Sequence, residues 1–365
     1  MKARTKYLVV AGAIVLLAPI AATVYYETGG GTGCASCHEI QRSYDQWAGS
    51  THRNLSCGSC HGDAFTLDPA FHLNNFQRLV GHLSGRISEP ILLRQPDLPE
   101  MLARCQKCHR QEFADWQSGP HASTYSRIFL DRKHNASEAL EDDCLRCHGM
   151  HFQGGIRDLV SPINTAGPWR LRTPELANLP AIPCLACHQI HAHGAPLPRP
   201  AIPAATPGPK QELFRPSLAL FDRRNQLHFA VRLLPLPEMR DHDRPVKISP
   251  DPRQALCYQC HAPLATNQVG SGDDRTAIGV HEGLSCLACH LKHGQQTRAS
   301  CATCHPRLSN CGLDVETMDT TFKNVKSPHN IHFVKCADCH PRGVPSKPGA
   351  RRRALPFSEA TFTRR

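Results

Sequence analysis

The chain has 365 residues and a net charge of +11, with 19 cysteines, 23 histidines and 30 prolines but only 6% aromatic residues. So few aromatic side chains and so many prolines exclude a conventional hydrophobic core that fills a chain of this length. Something other than side chains must therefore occupy much of the interior.

The N-terminal segment is basic and then apolar. Three basic residues among the first six precede an apolar run from Leu8 to Tyr26, which is about 28 Å long as a helix and close to the thickness of a bilayer core. An uncleaved anchor is favoured over a signal peptide cleaved after Ala22, because the run is longer than a usual signal core. Basic residues before the run place the remainder outside the cytoplasm. We therefore expect a chain anchored on the periplasmic side of the inner membrane, with secretion after cleavage as the alternative.

Nine Cys-x-x-Cys-His motifs follow, and they use 18 of the 19 cysteines. A disulfide framework is typical of shorter secreted domains, and structural zinc closes its site with a second pair or a distant His. Covalent haem attachment requires this order, because the two thiols bind the haem vinyl groups and the adjacent His binds iron. The sequence therefore predicts nine covalent haem c groups. The attachment motifs are Cys34-Cys37-His38, Cys57-Cys60-His61, Cys105-Cys108-His109, Cys144-Cys147-His148, Cys184-Cys187-His188, Cys257-Cys260-His261, Cys286-Cys289-His290, Cys301-Cys304-His305 and Cys336-Cys339-His340.

Nine haems would form most of the interior, with the chain wrapped around them. We therefore predict a mainly α fold with much irregular loop, a haem core, one small β-hairpin and an N-terminal transmembrane helix. Each haem also carries two propionates, whose negative charge offsets the excess of basic residues. Nucleic-acid binding, which the net charge alone would suit, is therefore excluded.

The spacing of the motifs divides the chain into segments. The gap between the fifth and sixth motifs is the longest, and it opens with six prolines between Pro196 and Pro209, a composition typical of an extended linker. Two apolar runs on either side of a polar stretch that begins at Asp222 then predict a β-hairpin. The predicted segments are an anchor or signal at 1–30, a five-haem domain at 31–194, a Pro-rich linker at 195–211, a β-hairpin insertion at 212–250, a four-haem domain at 251–348 and a basic tail at 349–365.

Two recurring patterns of residue spacing predict a repeated two-haem module. Trp47 and His52 follow the first motif, and Trp116 and His121 follow the third with the same spacing. A His five residues before the next motif occurs at His52 and again at His281. The proline-free stretch from the first motif to Trp47 is predicted to be a short helix that holds this Trp near its haem.

The sixth ligand of each iron determines what the haem can do. A second His closes the site and suits electron transfer, whereas a missing ligand leaves iron open to substrate. Fourteen histidines lie outside the motifs, enough to complete all nine sites. The predicted distal ligands are His52, His121, His281, His151, His191, His293, His329, His332 and His228. The remaining histidines, His72, His82, His134, His193 and His242, are predicted to hydrogen-bond propionates or carbonyl groups.

The N-terminal 65 residues resemble the membrane-anchored quinol dehydrogenases that feed periplasmic nitrate and nitrite reductases. The resemblance rests on the apolar segment and on the first two motifs with the residues between them, which are Tyr44, Trp47, Ser50 and His52. It implies electron entry from quinol near the membrane. The family's Met two residues after the first motif His is Ile40 here.

Two later segments resemble other multihaem cytochromes. The stretch from Cys105 through Trp116 and His121 resembles the superfamily of hydroxylamine oxidoreductase and pentahaem nitrite reductase. The segment from His329 through His332 to the ninth motif is similar to the small tetrahaem cytochromes of sulfate reducers. That second resemblance implies that His332 binds the ninth haem and His329 a neighbouring one.

The favoured function is electron transfer from a membrane donor, with quinol as the candidate, to a periplasmic or extracellular acceptor through redox partner proteins. The alternative is an enzyme that reduces or oxidises a small nitrogen or sulfur compound at one five-coordinate haem. The unpaired Cys311 is expected to be a buried or partner-facing thiol rather than a ligand or a reactive thiol.

Overall fold

The computed structural model describes residues 3–62, 66, 69–86, 93, 95–191, 197–198, 213–214, 217–261, 275–294, 332, 335 and 342. Within them, helices dominate and the strands form four two-stranded antiparallel sheets. The helices are α1 Ala3–Thr28, α2 Thr32–Ala35, α3 His38–Ala48, α4 Gly58–His61, α5 Pro69–Leu83, α6 Leu98–Cys108, α7 Arg110–Gln117, α8 Tyr125–Phe129, α9 Arg132–Ser137, α10 Cys144–Cys147, α11 Ile156–Leu159, α12 Gln254–Cys257 and α13 Cys286–Cys289. The strands are β1 Val160–Ser161, β2 Arg170–Leu171, β3 Leu197–Pro198, β4 Leu213–Phe214, β5 Ala219–Asp222, β6 Leu227–Ala230, β7 Arg240–Asp241 and β8 Arg244–Pro245.

Helix α1 contains the apolar run. The stretch Lys6–Tyr25 is long and apolar enough to cross a membrane, and none of it is buried against the rest of the chain. A membrane anchor and a signal sequence both have these properties. The finding fits a membrane-associated or secreted protein.

The predicted helix from the first motif to Trp47 is interrupted. Helix α2 ends at Ala35, and Cys37 has extended backbone angles, with φ −95° and ψ 130°. A new helix, α3, begins at His38 and contains Trp47. The prediction of one helix was therefore wrong at its start, because the attachment motif itself turns the chain between its two thiols.

An apolar side-chain core surrounds the fourth motif. Tyr125, Phe129, Leu145, Leu159 and Val160 are almost fully buried in it. Leu145 lies on α10 between the two motif cysteines, so this core packs directly against the fourth motif. The thin core expected from composition is thus concentrated in one part of the chain, where the apolar residues are dense.

The predicted β-hairpin is present as β5 and β6, with Ala219 opposite Ala230 and Asp222 opposite Leu227. The hairpin packs on the fifth motif, because the amide of Ala219 donates to the carbonyl of Cys187 at 3.0 Å. Further along, the amide of Gln189 donates to the carbonyl of Ser217 at 2.8 Å. The hairpin segment is therefore hydrogen-bonded to the backbone at the end of the fifth motif.

A surface ion pair joins the β7–β8 segment to the turn before the seventh motif. Arg244 donates two hydrogen bonds to Glu282, both at 2.7 Å, and the amide of Lys247 donates to the same carboxylate at 2.8 Å. The Arg244 hydrogen bond is the largest cause that lowers the pKa of Glu282, to about 2 from 4.5.

The Glu282 pair predicts acid sensitivity. Because the folded pKa lies below the unfolded value, the stabilisation is present above about pH 4.5 and is lost as the pH falls toward 2. We expect Glu282→Gln to lower the denaturation midpoint at neutral pH and to leave it unchanged near pH 2. Thermal melts of both proteins across this range measure the difference, and parallel curves at every pH would contradict the assignment.

Candidate haem-binding sites

Each described attachment motif forms a tight turn that gathers its two thiols and its imidazole. In five of these motifs, the amide of the motif His donates to the carbonyl of the first Cys, as between His61 and Cys57 at 2.8 Å. In the first and fifth motifs the turn is tighter, and the second Cys donates to the first at 3.2 Å. Both turns bring the backbone positions of the two cysteines and the histidine together within a single turn, as haem attachment requires.

Six motif histidines face a second imidazole ring. The ring centroids of these pairs lie 5.6–6.2 Å apart. Two imidazoles that bind one metal ion from opposite sides, each at about 2 Å, have centroids roughly 6 Å apart. The spacing therefore fits a haem iron between each pair. The pairs are His38 with His82, His52 with His109, His61 with His191, His121 with His261, His188 with His293 and His290 with His332.

The protonation state of these rings also fits a metal site. Burial lowers the pKa of His61, His121, His290 and His293, and it lowers the pKa of His191 to about 4. These imidazoles are therefore neutral near pH 7. The neutral ring is the form whose nitrogen lone pair binds a metal.

Five predicted distal ligands lie in these pairs, which are His52, His121, His191, His293 and His332. The rings of His121, His191 and His293 each face a motif that is distant in the sequence. His191 lies beside the fifth motif but faces the second, and His293 lies beside the seventh but faces the fifth. His332 faces His290 of the seventh motif, whereas the resemblance to small tetrahaem cytochromes implies the ninth haem, whose attachment residues lie outside the described residues.

Trp47 positions the first of these distal candidates. Its indole Nε1 donates to the backbone carbonyl of His52 at 3.1 Å, and Ser50 Oγ accepts from the amide of His52 at 3.0 Å. Trp116, its counterpart in the repeat, instead donates to the carbonyl of Ile182 at 3.2 Å. The repeated Trp therefore anchors local structure differently in the two copies.

Sequence reasoning missed His82, whose ring lies 5.6 Å from that of His38. Glu39 lies beside both rings, with its Oε1 2.5 Å from His82 Nδ1 and 3.6 Å from His38 Nε2. Cys37, Glu39 and His82 are close enough to hold a small metal ion, but Cys37 belongs to the first attachment motif. The available signal was helical spacing, because His82 shares one face of α5 with the polar residues Asn74 and Arg78.

His151 and His228 occupy a different environment from the paired rings. The ring of His151 is buried and stacks on Phe221, with centroids 3.9 Å apart. His228 lies edge-on to the same Phe221 at 5.2 Å, and its Nε2 is 2.8 Å from the carbonyl of Leu185. Burial lowers the pKa of both, that of His151 to about 4. The structure brings these two predicted ligands together around Phe221.

The remaining predicted residues lie elsewhere. His281 is in the turn before α13, where its carbonyl accepts from the amide of Leu284 at 3.2 Å. Of the histidines predicted to hydrogen-bond, His72 is 2.6 Å from the carbonyl of Thr66, and His134 and His242 are near acidic side chains. The eighth motif, the two cysteines and the histidine of the ninth, and His193, His329 and Cys311 lie outside the described residues.

The ring pairs give a direct test by ligand removal. We expect His191→Ala to leave the second haem five-coordinate, since its partner ring to His61 is lost. The ferric protein should then show one added high-spin signal by electron paramagnetic resonance, and the ferrous protein should bind carbon monoxide. His134→Ala is the control, because this exposed side chain lies near Glu138. Identical spectra for the His191 variant and the unaltered protein would contradict the pairing.

One comparison with known proteins identifies a related group. A family profile for the outer membrane cytochrome MtrC/MtrF-like domains II/IV matches residues 31–195, which include the first five motifs. No curated protein and no solved structure shows a significant match to the chain. The profile match supports a multihaem c-type cytochrome with covalently bound haems and a role in electron transfer. It is to a different group from the quinol dehydrogenases and hydroxylamine oxidoreductases, so those resemblances remain expectations.

Proposed function

We propose that the chain is a nonahaem electron carrier that takes electrons from a donor at the membrane and passes them to an acceptor outside the cytoplasm. The observation that carries this proposal is the set of six paired imidazoles. A haem iron with a His on each side has no free position for substrate, and its chemistry is the gain and loss of one electron. The protein's own part is to hold each haem, fix its ligands and place it beside the next.

The proximity of thiols from different motifs supports a continuous path through the first part of the chain. Cys60 of the second motif lies near Cys108 of the third, since each thiol affects the electrostatics of the other's motif. Cys105 of the third motif in turn lies near Cys184 of the fifth. Each thioether bond would join its sulfur directly to a porphyrin edge, so neighbouring thiols bring haem edges together.

The sixth motif joins three others. The Cys147 thiol of the fourth motif lies against Cys260, and this interaction lowers the pKa of Cys147 to about 7. On the other side of the turn, Cys257 interacts with Cys286 of the seventh motif, which raises the pKa of Cys257 well above its usual range. Cys187 of the fifth motif is close enough to influence both thiols of the sixth. These contacts support a junction at the sixth haem.

A hydrogen bond between the fourth and sixth motifs also supports the junction at the sixth haem. Arg146, between the two cysteines of the fourth motif, donates from Nη1 to the carbonyl of Gln259 at 3.2 Å. Gln259 lies between the two cysteines of the sixth motif and directly precedes Cys260. The two motifs are therefore fixed against each other by a polar contact.

The membrane donor and the quinol origin of its electrons are part of the proposal. They rest on the apolar helix α1, on the first motif only a few residues after it, and on the resemblance of this segment to quinol dehydrogenases. The acceptor is a redox partner protein or an extracellular electron acceptor. The alternative is an enzyme with one open haem that acts on a small nitrogen or sulfur compound.

The function can be tested on the full-length holoprotein in proteoliposomes. Intact mass should give nine haems, and addition of a quinol should reduce them, with reoxidation by an added soluble acceptor. Ferric spectra should be low-spin throughout, without binding of carbon monoxide in the reduced state. A high-spin fraction of about one-ninth, together with turnover of nitrite or hydroxylamine, would overturn the carrier in favour of the enzyme. Fewer than nine haems would overturn the count.

A further inference from the structure

Helix α5, Pro69–Leu83, has its apolar face directed away from the protein. Leu73, Phe76, Leu79 and Leu83 follow one another at spacings of three or four residues, which places them on one face of the helix. Their side chains are 57%, 61%, 51% and 75% exposed. Val80 on the same face is 44% exposed.

The opposite face of α5 contacts the protein through polar groups. Arg78 Nη2 lies 3.7 Å from Asp97 Oδ2, and His82 Nδ1 lies 2.5 Å from Glu39 Oε1. Asn74, one turn before Arg78, is half-buried. An ordinary surface helix does the reverse, since it buries its apolar stripe and exposes its polar one. This inversion indicates that the apolar stripe has an occupant other than this chain's described residues.

The position of α5 indicates what contacts its apolar face. Its last turn is linked through His82 to Glu39 on α3, and α3 begins ten residues after the end of α1 at Thr28. Helix α1 carries the Lys6–Tyr25 stretch that is long enough to span a bilayer. The exposed Arg86 follows the apolar stripe after three residues, a placement that suits lipid headgroups at an interface. The apolar face of α5 is therefore held close to the point where the anchor leaves the membrane.

We propose that α5 is an interfacial helix that lies on the membrane surface, with Leu73, Phe76, Leu79 and Leu83 in the acyl region of the outer leaflet of the inner membrane. Helices of this kind bury one apolar face at the boundary of headgroups and acyl chains and keep a polar face outward. In α5, the polar face contacts the rest of the protein. The contact would fix the first haem, between His38 and His82, at the membrane surface. The inference rests on the proposed anchoring by α1.

Photo-crosslinking in the full-length holoprotein can test whether the apolar face of α5 contacts lipid. Leu79 would be replaced by p-benzoylphenylalanine, and the protein reconstituted in vesicles of phosphatidylethanolamine and phosphatidylglycerol. Gln77, which is exposed and lies about 160° around the helix from Leu79, receives the same replacement as the matched control. We expect a lipid adduct by mass spectrometry at Leu79, several-fold more abundant than at Gln77. A Leu83 replacement serves as the second variant if the Leu79 protein does not retain its haems.

Three results would overturn the inference. Equal lipid labelling at Leu79 and Gln77 would mean that the face has no preferred contact with the membrane. Crosslinks at Leu79 to a second copy of the chain would assign the face to a dimer instead. Absence of lipid adducts at both Leu79 and Leu83 would also exclude membrane contact. Because the readout is a lipid adduct, it can fail while electron transfer through the haems remains intact, so the two proposals are separable.

Discussion

Removal of the sixth haem should slow electron transfer between the two parts of the chain by more than an order of magnitude. The change is the double substitution Cys257→Ser and Cys260→Ser, which deletes both thioether bonds of this motif. The sixth motif touches the fourth through Cys147 and the seventh through Cys286, and it lies near Cys187 of the fifth. Loss of its haem would therefore remove the site where these neighbours meet.

The measurement is stopped-flow reoxidation of fully reduced holoprotein by a soluble acceptor. In the variant, we expect a fast phase from haems on the acceptor side and a much slower phase from those on the donor side. Cys144→Ser with Cys147→Ser is the matched control, because the fourth motif interacts with the sixth through Cys147 and Cys260 and is treated as a side branch of the path. It also removes one haem but should leave the through-path fast. Intact mass must show eight haems in each variant.

Reoxidation of the sixth-motif variant without a slow phase would show that electrons bypass this haem. The ring pair of His188 with His293 gives such a route a structural basis, because His293 belongs to the segment of the seventh motif and faces the fifth. A direct path from the fifth haem to the seventh would then replace the junction. Equal slowing in the two double variants would instead assign the effect to general loss of structure.

The attachment chemistry could be predicted from the sequence because it is local. A Cys-x-x-Cys-His motif contains its complete set of covalent and proximal groups within five residues, and one turn suffices to gather them. The hairpin was predictable for the same reason, since β5 and β6 are joined by a short polar turn at Asp222. Local spacing also identified His52 and His121, each a fixed distance after a Trp.

The pairing of rings could not be predicted, because it depends on how distant segments meet. His191 lies three residues from His188, yet its ring faces His61, more than a hundred residues earlier. His151 has the same local spacing from its motif but stacks on Phe221 of the hairpin. Identical local patterns thus have different outcomes, and the difference is made by tertiary packing. The apolar core around Leu145 was missed for a related reason, since average composition conceals a dense local cluster.

Loss of the Asp251 carboxylate should be the most destabilising single change among the described polar residues of the C-terminal part. Asp251 is 1% exposed and forms a two-pronged ion pair with Arg253, at 2.9 Å from Nε to Oδ1 and 2.8 Å from Nη2 to Oδ2. Ser285 Oγ donates to Asp251 Oδ2 at 2.8 Å. Arg253 directly precedes α12, which ends at the first cysteine of the sixth motif, and Ser285 directly precedes the seventh motif. The carboxylate therefore fastens the two motifs together.

We expect Asp251→Ala to lower the free energy of unfolding by about 3–5 kcal/mol, because it leaves the buried Arg253 charge without its partner. Denaturant titration of the holoprotein, followed by far-ultraviolet circular dichroism, measures the change. Asp143→Ala is the matched control, since its pair with Arg146 is largely exposed and such pairs contribute less than about 1 kcal/mol. Equal effects from the two substitutions would contradict the assigned role of Asp251.

The same carboxylate predicts how the difference depends on pH. Burial alone would raise the pKa of Asp251, but the hydrogen bonds from Arg253 and Ser285 outweigh it and lower the pKa below the usual 3.8. A depressed folded pKa means that the stabilisation is complete above the unfolded value and is lost as the pH falls through the folded one. The stability gap between Asp251→Ala and the unaltered protein should therefore be full at pH 7 and narrow below about pH 4. A gap that stays constant into acid would mean that the substitution acts through lost packing rather than through the charge.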